Sequence, residues 1–267
     1  LVMKEKRIRE NEIIKPALTI INDNPGINTS ELIKELQKVI ELYPGDREIL
    51  KGRTDNKFSQ IVRNLISHKD NNKFGKCINE RGTGRNSGLY INEIGKNEIL
   101  GYERREIRDE KIDNEFQNQV RKSQAYSEKK DLDKADSRMP EKKTKSNNSR
   151  YKTDSRITKT VLEMNKHICE IELIEGKKHK TFNTKDEVQY MEGHHLIPMK
   201  AQKDYIQNID RSDNICCLCP NCHKAIHYGS IAEKKKRLIM LYTKKIEKLK
   251  ENGIDIEFEE LFNNYYI

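Results

Sequence analysis

Apolar side chains in the first third of the chain recur with the period of an amphipathic helix. They do so over residues 8–23, a stretch that ends at Asn-Pro-Gly punctuation. A second apolar stripe follows a cap at Thr29 or Ser30, and a third follows a cap at Thr54 or Asp55. The pattern therefore predicts three helices in succession.

The segment after the third predicted helix has the pattern of a β-hairpin. Between Phe74 and Asn92, two short apolar strands flank a tip of sequence Gly-Thr-Gly-Arg-Asn-Ser-Gly. Three helices followed by a glycine-tipped basic hairpin are typical of a winged helix, which we expect over residues 1–100. Its third helix would enter the major groove, while the hairpin would contact phosphates or the minor groove. The DNA-binding candidates are Asn56, Lys57, Gln60, Arg63, Asn64, Arg81 and Arg85. A winged helix that contacts protein, or that serves as a scaffold, is the alternative.

Polar residues dominate the middle of the chain. Residues 101–126 are polar on all sides, which predicts an exposed connecting or dimerising helix. Residues 127–155 are rich in Lys, Asp, Ser and Asn, which predicts a flexible linker. The apolar pattern returns at Ile157 and includes a Lys-rich amphipathic helix over 231–250. We therefore expect a charged helical and flexible linker over 101–155, then a second domain with a C-terminal helical extension over 156–267.

Composition narrows the class of protein. Apolar residues make up 34% and charged residues 36% of the 267 positions, and the formal charge of +9 suits a polyanionic partner such as nucleic acid. No apolar run approaches the roughly 18 residues of a membrane span, and the first twelve residues lack the apolar core of a signal peptide. Four of the six cysteines crowd together, as metal ligands do in a reducing compartment. We therefore expect a cytoplasmic protein.

The candidate chemistry is concentrated in residues 190–229, which hold four of the seven histidines and four of the six cysteines. Cys219 and Cys222 have the C-x-x-C spacing that lets two thiolates bind one tetrahedral zinc. His223 and His227 are four residues apart, so on a helix they share a face and can bind a second ion. A purely structural zinc knuckle is the simpler alternative, but the adjacent His194 and His195 argue against it.

Residues 160–232 resemble the HNH nucleases, whose fold is a β-hairpin followed by a helix around a metal ion. The resemblance is carried by the segments E-x-H-H-L-I-P-M and L-C-P-N-C-H-x-x-I-H-Y-G and by Asn214 between them. It is closest to a restriction-type subgroup, in which Gly193 would be Ala or an aliphatic residue. The N-terminal segment, residues 1–100, also resembles, more loosely, winged-helix domains appended to restriction systems. The fold class expected for the whole chain is α+β.

The resemblance implies a role for each matching residue. His194 and His223, with His227 as an additional ligand, would bind the catalytic divalent ion, which we expect to be Mg²⁺ or Mn²⁺. Three imidazoles also suit softer ions such as Ni²⁺ or Zn²⁺. His195 would be the general base, and Asn214 would orient it through its side-chain carbonyl or by fixing the loop. Glu192 would either tune the metal site or pair with a surface Lys, and the sequence favours the pairing.

A structural zinc site follows from the same subgroup, in which a Cys is followed by a His-x-Thr-Phe element. Here His179-Lys-Thr-Phe supplies that element after Cys169. The expected ligand set is Cys169, His179, Cys219 and Cys222. His167 and Cys216 compete with His179 for the fourth position. Cys216 and Cys217 are otherwise expected to fill apolar strand positions.

The leading functional hypothesis is a restriction-type DNA endonuclease that acts on double-stranded DNA. Because duplex cleavage needs two nicks, we expect a homodimer. The enzyme would be either sequence-specific and paired with a cognate methyltransferase, or dependent on DNA modification. The alternatives are a non-catalytic zinc-containing DNA-binding regulator and a nicking nuclease of homing or phage type.

Overall fold

The computed structural model describes residues 7–83, 87–145 and 148–267. They form helices and small two-stranded antiparallel sheets, divided into one compact unit up to Glu110, which Ile267 joins, and another from Lys111 to Tyr266. The helices are α1 (Ile14–Asp23), α2 (Thr29–Val39), α3 (Pro44–Arg47), α4 (Lys57–Ser67), α5 (Glu93–Lys122), α6 (Lys129–Ser137), α7 (Ser155–Met164), α8 (Glu170–Glu175), α9 (Pro220–Tyr228), α10 (Ile231–Glu251) and α11 (Phe258–Tyr265). The strands are β1 (Ile78–Arg81), β2 (Gly88–Ile91), β3 (Lys142–Lys145), β4 (Asn148–Tyr151), β5 (Glu192–His195) and β6 (Ile215–Leu218).

The N-terminal unit packs α1, α2 and α4 around one apolar core that also receives the β1–β2 hairpin. Leu18, Leu36 and Phe58, one from each helix, are fully buried in it. Leu89 of β2 joins this core and also bridges to Ile27 in the segment before α2. The predicted order of three helices and a hairpin is therefore present, with the short α3 inserted before the last helix.

The N-caps of α2 and α4 are asparagines. Asn28 accepts a hydrogen bond from the Glu31 backbone N–H at 3.0 Å, and the Glu31 carboxylate accepts one from the Asn28 N–H, which completes a capping box. Asn56 caps α4 by accepting from the Ser59 N–H at 3.0 Å. The sequence predicted Thr29 or Ser30 and Thr54 or Asp55 as the caps, but Asn is as favourable an N-cap as Ser or Asp and more favourable than Thr.

The segment predicted as a flexible linker contains α6 and the β3–β4 hairpin. Leu132 and Ala135 are three residues apart on α6, and both are buried in a cluster with Ile157 of α7 and Ile215 of β6. The Asp136 carboxylate accepts from the Ser212 N–H at 2.9 Å. Two apolar side chains on one helix face are enough for docking here, although the segment as a whole is polar.

Strands β5 and β6 form the sheet that leads into α9. They pair from Glu192 opposite Leu218 to His195 opposite Ile215. The outer edge of β5 is closed by Gln117 of α5, whose side chain accepts from the Gly193 N–H at 3.0 Å and donates to the Gly193 carbonyl at 2.8 Å. Buried side chains thus satisfy backbone groups that an open strand edge would leave unpaired.

The outer edge of β6 is closed in the same way by Glu170 of α8. Its carboxylate accepts from the Cys217 N–H at 2.9 Å and lies 2.8 Å from Lys244 and 3.4 Å from Lys245 of α10. The Lys-rich α10 therefore forms ion pairs with the carboxylate that accepts the hydrogen bond from β6. Within the described ranges, no helix combines the length and apolarity needed to cross a membrane.

Gly193 has a packing reason for lacking a side chain. A Cβ added there would lie 2.1 Å from Cγ2 of Thr158 on α7, well inside van der Waals contact. The larger residue expected from the resemblance would force Thr158 to shift, because α7 lies directly against β5. The helix and the strand that carries His194 and His195 are thereby held close together.

Candidate metal centres and a candidate catalytic histidine

The four residues expected to bind structural zinc converge in the structure. One ligand atom from each of Cys169, His179, Cys219 and Cys222 lies within 4.8 Å of all the others. His179 Nδ1 is 3.4 Å from the Cys222 Sγ and 3.7 Å from the Cys219 Sγ. Cys169 and Cys219 stand immediately before α8 and α9, so the cluster joins the starts of two helices. Three thiols and one imidazole are a donor set that fits tetrahedral zinc.

Hydrogen bonds within the cluster give the three thiols different pKa values. Hydrogen bonds donated by Cys219 and Cys222 hold the pKa of Cys169 far below its ordinary value, and the same bonds to Cys169 raise the pKa of both donors. A bound dication would remove the remaining protons, so zinc binding would release protons and be weakened by acid. The Nε2 of His179 lies 3.3 Å from the Glu175 carboxylate, an arrangement that orients Nδ1 towards the thiols.

The competing zinc ligands do not join this cluster. Cys216 and Cys217 are fully buried on β6, as expected for apolar strand positions. Burial raises the pKa of Cys216 to about 12 and also raises the pKa of Cys217, so both thiols stay protonated. His167 lies outside the cluster, in the turn before Cys169.

A second cluster contains the three histidines expected to bind the catalytic ion. One ring nitrogen from each of His194, His223 and His227 lies within 4.8 Å of the other two. His194 comes from β5, whereas His223 and His227 occupy one face of α9 and bring their Nε2 atoms to 3.2 Å from each other. This separation suits two ligands of one ion.

Two neighbouring side chains determine which nitrogens face this cluster. His223 Nδ1 lies 2.7 Å from the Glu192 carboxylate, so it donates its proton there and leaves the Nε2 lone pair free. His194 Nε2 lies 3.0 Å from the Tyr266 hydroxyl, which itself donates to the Leu196 carbonyl at 2.7 Å. The Tyr266 oxygen therefore accepts from His194, and the Nδ1 lone pair remains available. This fits a metal site on chemical grounds.

Glu192 is thus a partner of the cluster. The interpretation favoured from the sequence, pairing with a surface Lys, is wrong because β5 turns this side chain inwards. Burial opposes its ionisation, but the hydrogen bond and charge of His223, with the Tyr190 hydroxyl at 3.1 Å, outweigh burial and lower the pKa of Glu192.

Burial favours the neutral form of His194 and His227. It lowers the pKa of His194 well below its ordinary value, reinforced by repulsion from His223 and His227. Crowding around the ring, followed by repulsion from His223, lowers the pKa of His227 to about 4, although part of that residue reaches solvent. Neutral imidazoles are the form that binds metal ions.

His195 points away from this cluster, because successive residues of a strand face opposite sides. Its Nε2 lies 2.8 Å from the carboxylate of Asp210, which is 3% exposed. The other Asp210 oxygen accepts from the Asp154 N–H at 2.5 Å. The ring of Phe116 on α5 lies 5.8 Å from the His195 ring. With Nε2–H donated to Asp210, the Nδ1 of His195 is left as a proton acceptor.

Asn214 is fully buried and organises the loop between β5 and β6. Its side-chain oxygen accepts from the Ile197 N–H, and its amide donates to the carbonyls of Ile197 and Ile209, each at 2.8 Å. In the described part of the chain, it bonds to these backbone groups and not to the His195 ring. Of the two roles expected for Asn214, the geometry therefore fits the fixing of the loop.

Sequence reasoning missed Asp210 and Tyr266. Asp210 lies in an Asp-rich loop with nothing in its spacing to distinguish it from Asp204 or Asp213. Tyr266 is 72 positions from His194 and lies in the C-terminal extension. Local spacing carries no signal for either contact.

The candidate DNA-binding side chains on α4 already have partners within the N-terminal unit. Gln60 donates to Asn64 at 2.6 Å, Arg63 pairs with Asp55, and Lys57 pairs with Glu48. These polar groups therefore form an interlinked network on the helix surface.

The remaining candidates have different surroundings. Asn56 uses its side-chain oxygen as the cap of α4. The guanidinium of Arg81 lies over the Tyr90 ring at 4.9 Å from its centre and is exposed on the hairpin. Arg85 lies outside the described residues.

Comparison with known proteins agrees with the geometry of the second unit. A sequence model of the HNH endonuclease family matches residues 169–232. The type IV methyl-directed restriction enzyme EcoKMcrA of Escherichia coli (strain K12) is 35% identical over 92 residues, which are 34% of this chain and 29% of that enzyme. The chain therefore spans less than a third of that relative's length. The matched region contains both α9 histidines and the complete set of zinc candidates, and we conclude that residues 169–232 are an HNH endonuclease domain.

Proposed function

We propose that this protein is a restriction-type endonuclease that hydrolyses phosphodiester bonds of double-stranded DNA. The observation that carries the proposal is the arrangement around His194 and His195. One of these adjacent histidines joins a three-imidazole cluster, and the other is held by Asp210 with its second ring nitrogen free. A hydrolase needs both elements, a cation for the phosphate and a base for the water.

His195 acts as the general base in this proposal. Its Nδ1 takes the proton from the attacking water, while Asp210 holds Nε2–H and stabilises the imidazolium that forms. Asn214 fixes the loop that carries Asp210, through its bond to the adjacent Ile209 carbonyl. The base is thus positioned by Asp210 and by the loop that carries it.

His194, His223 and His227 would hold the catalytic ion, which we propose to be Mg²⁺ or Mn²⁺. Bound there, it supplies positive charge to the scissile phosphate and the departing oxygen. Glu192 and Tyr266 keep His223 and His194 in the tautomers that present lone pairs to the cluster. Neutral rings bind the ion without first losing a proton.

Cys169, His179, Cys219 and Cys222 would hold a structural zinc. The starts of α8 and α9 meet there, so the ion ties α9, with its two cluster histidines, to the rest of the domain. Small domains with little apolar core gain stability from such sites. A reducing compartment, for which we propose the cytoplasm, keeps the thiols available.

The N-terminal unit serves as the DNA-recognition module and is proposed to be a winged helix. Its helices and hairpin follow one another in the order typical of a winged helix, and α4 carries a polar face. On binding, Gln60, Arg63 and Asn64 would exchange their present partners for base edges, and Arg81 would contact phosphate. Asn56 and Lys57 stand at the start of α4, where backbone N–H groups also favour phosphate.

The name of the E. coli relative bears on the substrate. That enzyme is described as methyl-directed, so we propose that this chain too acts on modified DNA, in preference to pairing with a cognate methyltransferase. Because duplex cleavage takes two nicks, we propose a homodimer as the active form.

The test is incubation of purified protein and Mg²⁺ or Mn²⁺ with a cytosine-methylated plasmid and its unmodified counterpart. Discrete fragments from the methylated plasmid alone are expected. His195→Ala should abolish cleavage while keeping DNA affinity, because the ring contributes to the chemical step. Cleavage by His195→Ala at near the wild-type rate would refute the assignment of the base, and no cleavage by the wild-type protein would refute the nuclease.

A further inference from the structure

Asp113 lies beside the three-histidine cluster, although it belongs to α5 and precedes the HNH match by more than fifty positions. Its Oδ1 is 3.8 Å from the Nε2 of His223, and its side chain is 18% exposed. Nothing in the sequence around Asp113 distinguishes it from the other acidic residues of this polar helix. Its placement is a property of the tertiary structure.

The nitrogen that Asp113 approaches is the one that faces the cluster. His223 Nδ1 is bonded to Glu192 at 2.7 Å, so the Nε2 carries the lone pair. That Nε2 has the Nε2 of His227 at 3.2 Å and the Asp113 carboxylate at 3.8 Å. Two ring nitrogens and a carboxylate oxygen held this close repel one another unless a shared proton or a cation lies among them, and a bound ion would offset the repulsion at all of them.

Gln117 holds Asp113 in this position. It donates to the Asp113 Oδ1 at 3.0 Å and binds both backbone groups of Gly193 on β5. Lys224 lies 3.7 Å from the second carboxylate oxygen and is 35% exposed. Neither contact requires a buried negative charge, because an amide oxygen would accept from Gln117 equally well and Lys224 can be solvated.

We propose that Asp113 supplies a carboxylate oxygen to the ion bound by His194, His223 and His227. This inference rests on the proposed function, since it concerns the same ion. It extends the metal site to a helix outside the family domain. Three imidazoles alone suit softer ions, whereas an anionic oxygen adds affinity for Mg²⁺ and Mn²⁺.

The test is a Mn²⁺ titration of the full chain with zinc already loaded, in which free Mn²⁺ is followed by electron paramagnetic resonance. Asp113→Asn keeps the size and the oxygen acceptor for Gln117 but removes the charge. We expect it to bind Mn²⁺ roughly 10- to 100-fold more weakly than wild type, the range typical of losing a ligand or its supporting group. Glu115→Gln removes one charge from the exposed side of the same helix and should leave the affinity unchanged.

The outcomes separate this inference from the proposed function. Mn²⁺ affinity in Asp113→Asn within about twofold of wild type, with His223→Ala abolishing binding, would overturn the role of Asp113 alone. Binding that survives His223→Ala would show that the ion is not held by the histidine cluster, and the proposed function would fail. If Asp113→Asn does not fold, infrared spectra of aspartate-labelled wild type decide: a carboxylate band that shifts on Mn²⁺ addition supports the inference, and an unchanged spectrum overturns it.

Discussion

Replacing Asp210 by Asn tests whether the His195 tautomer controls catalysis. Asp210 presents two acceptor oxygens to two donors, the His195 ring at 2.8 Å and the Asp154 N–H at 2.5 Å. An Asn offers one oxygen and one NH₂ group, so one donor must lose its acceptor. If the oxygen stays with Asp154, the NH₂ donates to Nε2 and the ring proton moves to Nδ1. His195 can then no longer accept a proton from water.

The expected loss follows from what a general base contributes. That contribution is about 10²- to 10⁴-fold in rate, which corresponds to roughly 3–5 kcal/mol of activation free energy. We expect Asp210→Asn to reduce the single-turnover cleavage rate by this amount, with little change in DNA affinity. The assay is quench-flow or manual-mixing cleavage of a labelled duplex at saturating protein, alongside a binding titration in Ca²⁺.

Asp213→Asn provides the matched control. Asp213 lies in the same loop and pairs with Arg211 and Asn252, away from His195. Its variant should cut at close to the wild-type rate. If Asp210→Asn folds with an unchanged melting temperature and cuts within threefold of wild type, the role assigned to Asp210 is wrong.

Three further predictions concern stability. Cys219→Ser should lose zinc and cooperative unfolding together, measured by metal analysis and circular dichroism; stoichiometric zinc with an unchanged melting curve would contradict it. Gly193→Ala should destabilise the protein by about 1–3 kcal/mol through overpacking against Thr158, and Thr158→Ser should restore the denaturation midpoint; no loss in the single variant would count against this packing. Because burial lowers the pKa of His227 to about 4, the unfolded chain binds more protons between that pH and about 6.5, so stability falls as the pH drops through this window. The stability of His227→Asn, measured by denaturation, should depend less on pH in this window. An identical slope of stability against pH would refute the lowered pKa of His227.

Much of the candidate site could be predicted because its residues interact at short sequence separation. The spacing of Cys219 and Cys222 places two thiols at one helix start, and the spacing of His223 and His227 places two imidazoles on one helix face. The adjacency of His194 and His195 on a strand sends them to opposite sides. Such local geometry follows from backbone periodicity before any tertiary contact is made.

The positions of the partners are different, because they depend on packing between distant segments. Gln117 reaches Gly193 across 76 positions, and Tyr266 reaches His194 across 72. The segment predicted as a linker contains α6 because two apolar side chains dock on α7 and β6. No periodicity in a polar stretch reveals such docking, since the surface that it meets is built elsewhere.

The amino-acid sequence by itself thus determined which side chains could carry the chemistry, because ligand type and spacing are local properties of the chain. The tertiary structure alone decided which ring nitrogens are free, through Asp210, Glu192 and Tyr266. It also decided that Asp113 stands beside the histidine cluster. The physical reason is that a hydrogen bond is made at a distance of about 3 Å, and only the folded chain brings residues that are far apart in sequence to that distance.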